Sequence, residues 1–176
     1  MAWVSEIAEE KATPELKPLY DAVRANYGFV PNFFKAQGRS PELIEAEMKL
    51  GHAILKDGAL PLKIKEEIGV VVSGVNTSSY CIAIHMEVLR NLGVEKALSR
   101  KLAMDYANAP VEPKVLALFR FAEKLTRKQG DVEQADFEAA KAAGWDEAAL
   151  FEVTMAVAWF NYINRVSIGL GLVADF

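Results

Sequence analysis

Several residue types are too scarce in this sequence to support the chemistry they usually serve. There is one cysteine and there are two histidines in 176 residues. A single thiol closes no internal disulfide, which fits a reducing compartment. Cys81, His85, Glu66 and His52 are too few and too scattered for a closed zinc site, so no metal is expected. Positive charge is not in excess: 20 Lys and Arg stand against 24 Asp and Glu, a net charge of −4. Without a basic stripe interleaved with aromatics, a nucleic-acid partner is not expected. No apolar run is long enough to span a bilayer. The most apolar segment, Val153 to Tyr162, falls short of the ~20 residues required and is flanked by Glu152 and Arg165. The start, Met1-Ala2-Trp3-Val4-Ser5-Glu6, has neither the basic start nor the apolar core of a signal peptide. A soluble cytoplasmic protein is the expectation. No Gly-x-Gly-x-x-Gly loop follows a strand and no Walker pattern occurs, so no cofactor is expected.

Strand signals are equally thin. Val70-Val71-Val72 is β-branched, but the run around it neither alternates nor ends in turn residues, and it reads as a buried helix segment. Gly69 and Gly74 inside it predict close approach by other helices. Elsewhere the punctuation is helical. Thr13-Pro14-Glu15 and Ser40-Pro41-Glu42 each place a cap before a proline at the first helical position. Gly28, Gly58, Gly93, Gly130 and Gly144 mark ends. The spacing predicts helices over 13–28, 40–58, 63–75, 79–92, 94–107, 113–128, 133–143 and 146–168, with a short helical turn at Phe29–Phe34. With 52 % apolar residues the chain is globular. The expected architecture is an all-α single domain, residues 1–176, of about eight or nine helices.

The chemistry concentrates at one junction. Asn76-Thr77-Ser78-Ser79 breaks an apolar helix and starts a second one, with Ser78 at its N-cap. Ser78, Cys81 and His85 then fall at i, i+3 and i+7, on one face. Cys81 lies in the first turn, where free N–H groups and the helix dipole favour a thiolate. A thiol pKa of about 8.5 is lowered to roughly 3.5–7.5 in such surroundings. His85 is spaced to act as the thiol's base or to stabilise the thiolate. Glu66, fifteen residues before Cys81, approaches the same place if the two helices fold back antiparallel, and would accept a proton there. Physical reasoning alone does not separate Glu66 from Glu67. His52 has no such partner and reads as structural. Arg165, in an apolar helix, needs a partner such as a carboxylate.

Glu66 followed at this distance by x-x-Cys81-x-x-x-His85 resembles the alkylhydroperoxidase D-like group of the carboxymuconolactone decarboxylase superfamily. Gly28-Phe29-Val30-Pro31-Asn32 and Ser40-Pro41-Glu42-Leu43 resemble the N-terminal part of its peroxidase-related branch. Trp159-Phe160-Asn161 and Asn164-Arg165 resemble its last helix. The resemblance implies a helical fold of that type and a homo-oligomer, whether dimer, trimer or hexamer. It selects Glu66 over Glu67, and it implies peroxide reduction, with Glu66 and His85 relaying protons to the thiol. The family pattern carries a cysteine where this chain has Ser78, so an internal dithiol cycle is not available. The implied function is a one-cysteine hydroperoxide reductase that draws on an external thiol. Two alternatives stand beside it. One is decarboxylation of a small lactone acid, with Lys63, Lys65 or Arg165 as cations for the substrate. The other is a catalytically silent helical oligomer or redox sensor.

Overall fold

The computed structural model describes residues 2–176. Among them lie nine α-helices and no strand: α1 (Leu16–Tyr27), α2 (Asn32–Gln37), α3 (Pro41–Leu55), α4 (Leu62–Val75), α5 (Ser79–Asn91), α6 (Lys96–Asp105), α7 (Pro113–Arg127), α8 (Gln134–Ala142) and α9 (Glu147–Gly169). The all-helical expectation holds, and the Val70–Val72 run is interior helix. Asp146 caps α9, its carboxylate accepting from the Ala149 N–H at 2.8 Å.

Helix α4 is the central element and packs against α5, α6, α7 and α9. It is buried almost all round, consistent with its unbroken apolar sequence. The two glycines act as their positions suggested. A Cβ on Gly69 would lie 2.8 Å from the Phe160 ring of α9, and one on Gly74 would meet the Ala103 carbonyl of α6. Only glycine admits approaches that close.

Side-chain packing forms two cores. The larger gathers Ile68, Val72, Leu118, Phe119, Val157 and Phe160 from α4, α7 and α9. The smaller joins Leu16, Tyr20, Phe33, Ile44 and Leu172 with Tyr80 and Cys81 at the start of α5. Both chain ends close over this second core. The Trp3 N–H donates to the Leu170 carbonyl at 2.9 Å, and Asp175 Oδ1 accepts from the Asn32 N–H at 2.8 Å. Among the described residues no helix is long and apolar enough to cross a membrane.

Several helix ends differ from expectation. Helix α1 starts at Leu16 with Glu15, not Thr13, in the cap position, so Pro14 precedes the helix. Helix α3 stops at Leu55 rather than near Gly58. The buried Lys65 ammonium takes its last carbonyls, donating to Ile54 O at 2.9 Å and Lys56 O at 2.7 Å. Glu152 Oε2 lies 3.0 Å from the same ammonium, and the chain turns there. Helix α6 starts at Lys96 and tightens into a 3-10 turn over Tyr106–Asn108.

Candidate functional site

The break between α4 and α5 builds the site. The Ser78 N–H donates to Ser73 O at 2.9 Å, and the Thr77 N–H to Gly74 O at 3.0 Å. This is the paired bonding of a Schellman turn, with Thr77 at the left-handed position where glycine is usual. Its φ of +55° is the only positive value among the described non-glycine residues and costs on the order of 1–2 kcal/mol. The Asn76 amide holds the turn by donating to Asn161 Oδ1 at 3.0 Å and Asn164 Oδ1 at 3.3 Å. A strained turn tied to α9 in this way fixes the direction in which α5 leaves.

Ser78 occupies the N-cap position, but its side chain makes no capping bond. Its Oγ is buried and without a hydrogen-bond partner. The hydroxyl is close enough to the Cys81 sulfur to favour the thiolate. Cys81 is 1 % exposed, and its sulfur sits 3.4 Å from Ser167 Oγ of α9. Sequence reasoning expected a thiol made more acidic by the helix terminus. Instead burial pushes the Cys81 thiol up, and the Ser167 and Ser78 hydroxyls offset it only in part. Removing the sulfur from water disfavours its charged form.

One turn along α5, His85 Nδ1 lies 2.8 Å from Glu66 Oε2, with both side chains buried. Glu66 therefore reaches His85 and not the sulfur. Geometry also separates the two glutamates: Glu67 instead stands 3.9 Å from Lys63, and burial raises its carboxyl. The imidazole also packs against Phe160, the two rings meeting edge to face at 4.8 Å between centroids. Gly69 is what allows Phe160 that position. With Nδ1 held by the carboxylate, Nε2 is the nitrogen left for proton transfer.

Three contributors escaped sequence reasoning. Ser167 and Phe160 come from α9, and only the three-dimensional fold brings them to α5. Tyr27 has 42 % of its surface exposed, yet enclosure of its hydroxyl and the charge of Glu66 push that group up to about 12. Tyr80 is buried, and its hydroxyl accepts from the Phe33 N–H at 3.0 Å. Among the described residues Arg165 finds no carboxylate: its guanidinium donates to Asn161 O at 3.0 Å and Asn161 Oδ1 at 2.6 Å. Among the described residues no three His, Cys, Asp or Glu side chains converge as metal ligands would. A cleft of about 270 Å³ lined by Val71, Leu102, Tyr106 and Arg127 does not include Cys81.

Residues 41–124, from α3 to most of α7, match the carboxymuconolactone decarboxylase family. The match covers a little under half of the chain, and the fold is that of the alkylhydroperoxidase D-like, peroxidase-related proteins. It is similar to the crystal structure of an uncharacterized peroxidase-related protein from Ralstonia eutropha JMP134, described as an alkylhydroperoxidase AhpD core. The TM-score is 0.90 at 25 % identity, covering 99 % of this chain and 92 % of the other. A peroxidase-related protein from Silicibacter sp. TM1040 gives 0.88 at 24 % identity over 97 % and 92 %. The fold is shared with the debrominase Bmp8, at a TM-score of 0.83 and 20 % identity over 98 % and 91 %. No curated protein matches the chain by sequence.

Proposed function

We propose that this protein is a thiol-dependent hydroperoxide reductase with Cys81 as its single redox-active residue. The observation that carries the reading is the buried Glu66–His85 pair one helical turn from the only cysteine. Glu66 orients the imidazole, and Nε2 takes the thiol proton. The thiolate attacks the terminal peroxide oxygen, and the O–O bond breaks. The departing alkoxide recovers the proton from His85, leaving an alcohol and Cys81 sulfenic acid. Sulfur gives up two electrons and the peroxide receives them. Ser78 offers no second thiol, so an external thiol attacks the sulfenic sulfur and expels water. A second thiol equivalent then reduces the mixed disulfide. Because Cys81 is covered by the smaller core, reagents reach it only when that cover moves. That burial favours a small external thiol over the Cys81 of a second copy in the homo-oligomer the family implies.

The lactone decarboxylase alternative calls on cations that are engaged elsewhere. Lys65 is held by two carbonyls and Glu152, Arg165 by Asn161, and Lys63 stands beside Glu67. The test is consumption of an organic hydroperoxide with a thiol reductant by wild type, Cys81→Ala and His85→Ala. Loss of turnover in Cys81→Ala and slowing in His85→Ala support the reading. Unchanged turnover in Cys81→Ala overturns it. One round of oxidation without turnover would point to the sensor reading instead.

A further inference from the structure

Among the described residues, the sulfur of Cys81 has one hydrogen-bonding partner in good geometry, Ser167 Oγ at 3.4 Å. Ser167 is itself 1 % exposed and lies outside the family-matched span. Its mount is rigid. Three residues earlier on α9, Asn164 donates to Ser73 Oγ at 3.2 Å and accepts from Asn76. The Ser167 carbonyl accepts from the Leu172 N–H at 3.0 Å, closing the end of the helix. At the start of α5, Ser78 is 2 % exposed and its hydroxyl is unpartnered.

We propose that Ser167 is a positioning residue for the nucleophile: its hydroxyl orients the Cys81 thiol and sets its acidity, with Ser78 as a second hydroxyl that closes on the sulfur once it is charged. A hydroxyl suits this role because it both accepts and donates. While the sulfur is protonated, S–H donates to Ser167 Oγ. Once the proton has left, the Ser167 O–H rotates about one torsion and donates to the thiolate in a charge-assisted bond. Ser78, free of any competing partner, does the same from the start of α5. Two hydroxyls are what this buried site offers against the cost of holding a negative sulfur in an apolar core. The unsatisfied state of Ser78 in the resting protein follows directly: its donor is reserved for the charged form. The proposal deepens the reading of Cys81 given above, but it concerns acidity, so a protein that turned over no hydroperoxide would leave it standing.

The test is the pH profile of Cys81 alkylation by iodoacetamide, read by intact mass, where a single cysteine gives a single site. Ser167→Ala is expected to raise the apparent pKa by about one unit, a tenfold fall in rate below it and equivalent to about 1.4 kcal/mol. Ser167→Thr, which keeps the hydroxyl, is expected to restore most of that rate. Ser73→Ala removes another buried hydroxyl from the α4–α9 contact without touching the sulfur, and is expected to lower stability while leaving the profile in place. A Ser167→Ala profile that superimposes on wild type overturns the proposal, as does an equal shift in Ser73→Ala. Should Ser167→Ala not fold, the S–H stretching band of the wild-type protein decides. A band lowered by hydrogen bonding supports the proposal, and a band at the free-thiol position overturns it.

Discussion

Glu66 and His85, 19 residues apart in sequence, meet through a 2.8 Å contact between Oε2 and Nδ1 in a site almost closed to water. In such surroundings a hydrogen bond to a charged group is stronger than at the surface, and breaking it leaves a buried partner unsatisfied. Glu66→Gln keeps the shape and removes the charge. It is expected to lower kcat/KM for hydroperoxide by about 10²-fold, within the range for positioned acid–base groups. Steady-state kinetics beside a thermal melt will show whether the loss is catalytic or a loss of fold.

Gly69 governs the packing on the imidazole. A methyl group there lies 2.8 Å from the Phe160 ring, and that ring meets His85 edge to face. Gly69→Ala is expected to cost about 1–3 kcal/mol through overpacking and also to reduce turnover. Gly51→Ala is the control. Its Cβ would meet Trp159 at 2.9 Å, a ring that packs on Tyr162 instead of the imidazole. A similar fall in Tm without the fall in turnover is expected there.

Ser78→Cys restores the family spacing next to Cys81. Mild oxidation is expected to close an internal disulfide, seen as loss of two hydrogens in intact mass and disappearance of both free thiols. Persistence of two free thiols would mean that the sulfur atoms at positions 78 and 81 cannot approach across this turn.

Most of the helical order was legible because it rests on local chemistry: caps, prolines and apolar spacing. The shared helix face of Ser78, Cys81 and His85 was legible for the same reason, whereas Glu66 was separated from Glu67 only by the family resemblance. Ser167 and Phe160 were not legible, because each reaches the site from a distant segment and carries no local signal. The acidity of Cys81 was misjudged in direction. Sequence shows that the thiol stands at a helix start, but not that Leu172, Phe33 and Ile44 share its core. The early end of α3 was hidden likewise, since Lys65 reads as a surface charge until its ammonium is found on the helix's last carbonyls.

Glu47 gives a pH-dependent prediction. Burial raises its carboxyl above the ordinary range, with the hydrogen bond from Tyr162 and the nearby Gln37 amide opposing that shift. Its Oε2 is buried without a partner. A raised carboxyl contributes its stability below the ordinary carboxylate pKa and loses it as pH rises through the folded value. Glu47→Gln carries no charge and is expected to melt higher than wild type at neutral pH, by a few degrees for about 1 kcal/mol. The difference should shrink as pH falls toward about 4. A pH-independent difference would show that Glu47 does not titrate in the folded protein.

The division of the interior into two cores bears on how the thiol is reached. Glu66 and Phe160 hold His85 against the larger core, while the sulfur is walled by the smaller one under the two chain ends. The smaller core has fewer buried residues than the larger and is expected to open as a separate cooperative unit, leaving the carboxylate–imidazole pair assembled. Thiol reactivity then becomes a gauge of local unfolding: it should track amide hydrogen exchange in α1 and α2 and ignore exchange in α4. Substitutions at Leu16 or Tyr20, remote from any chemistry, would alter how often the sulfur meets solvent without altering what it does when it gets there.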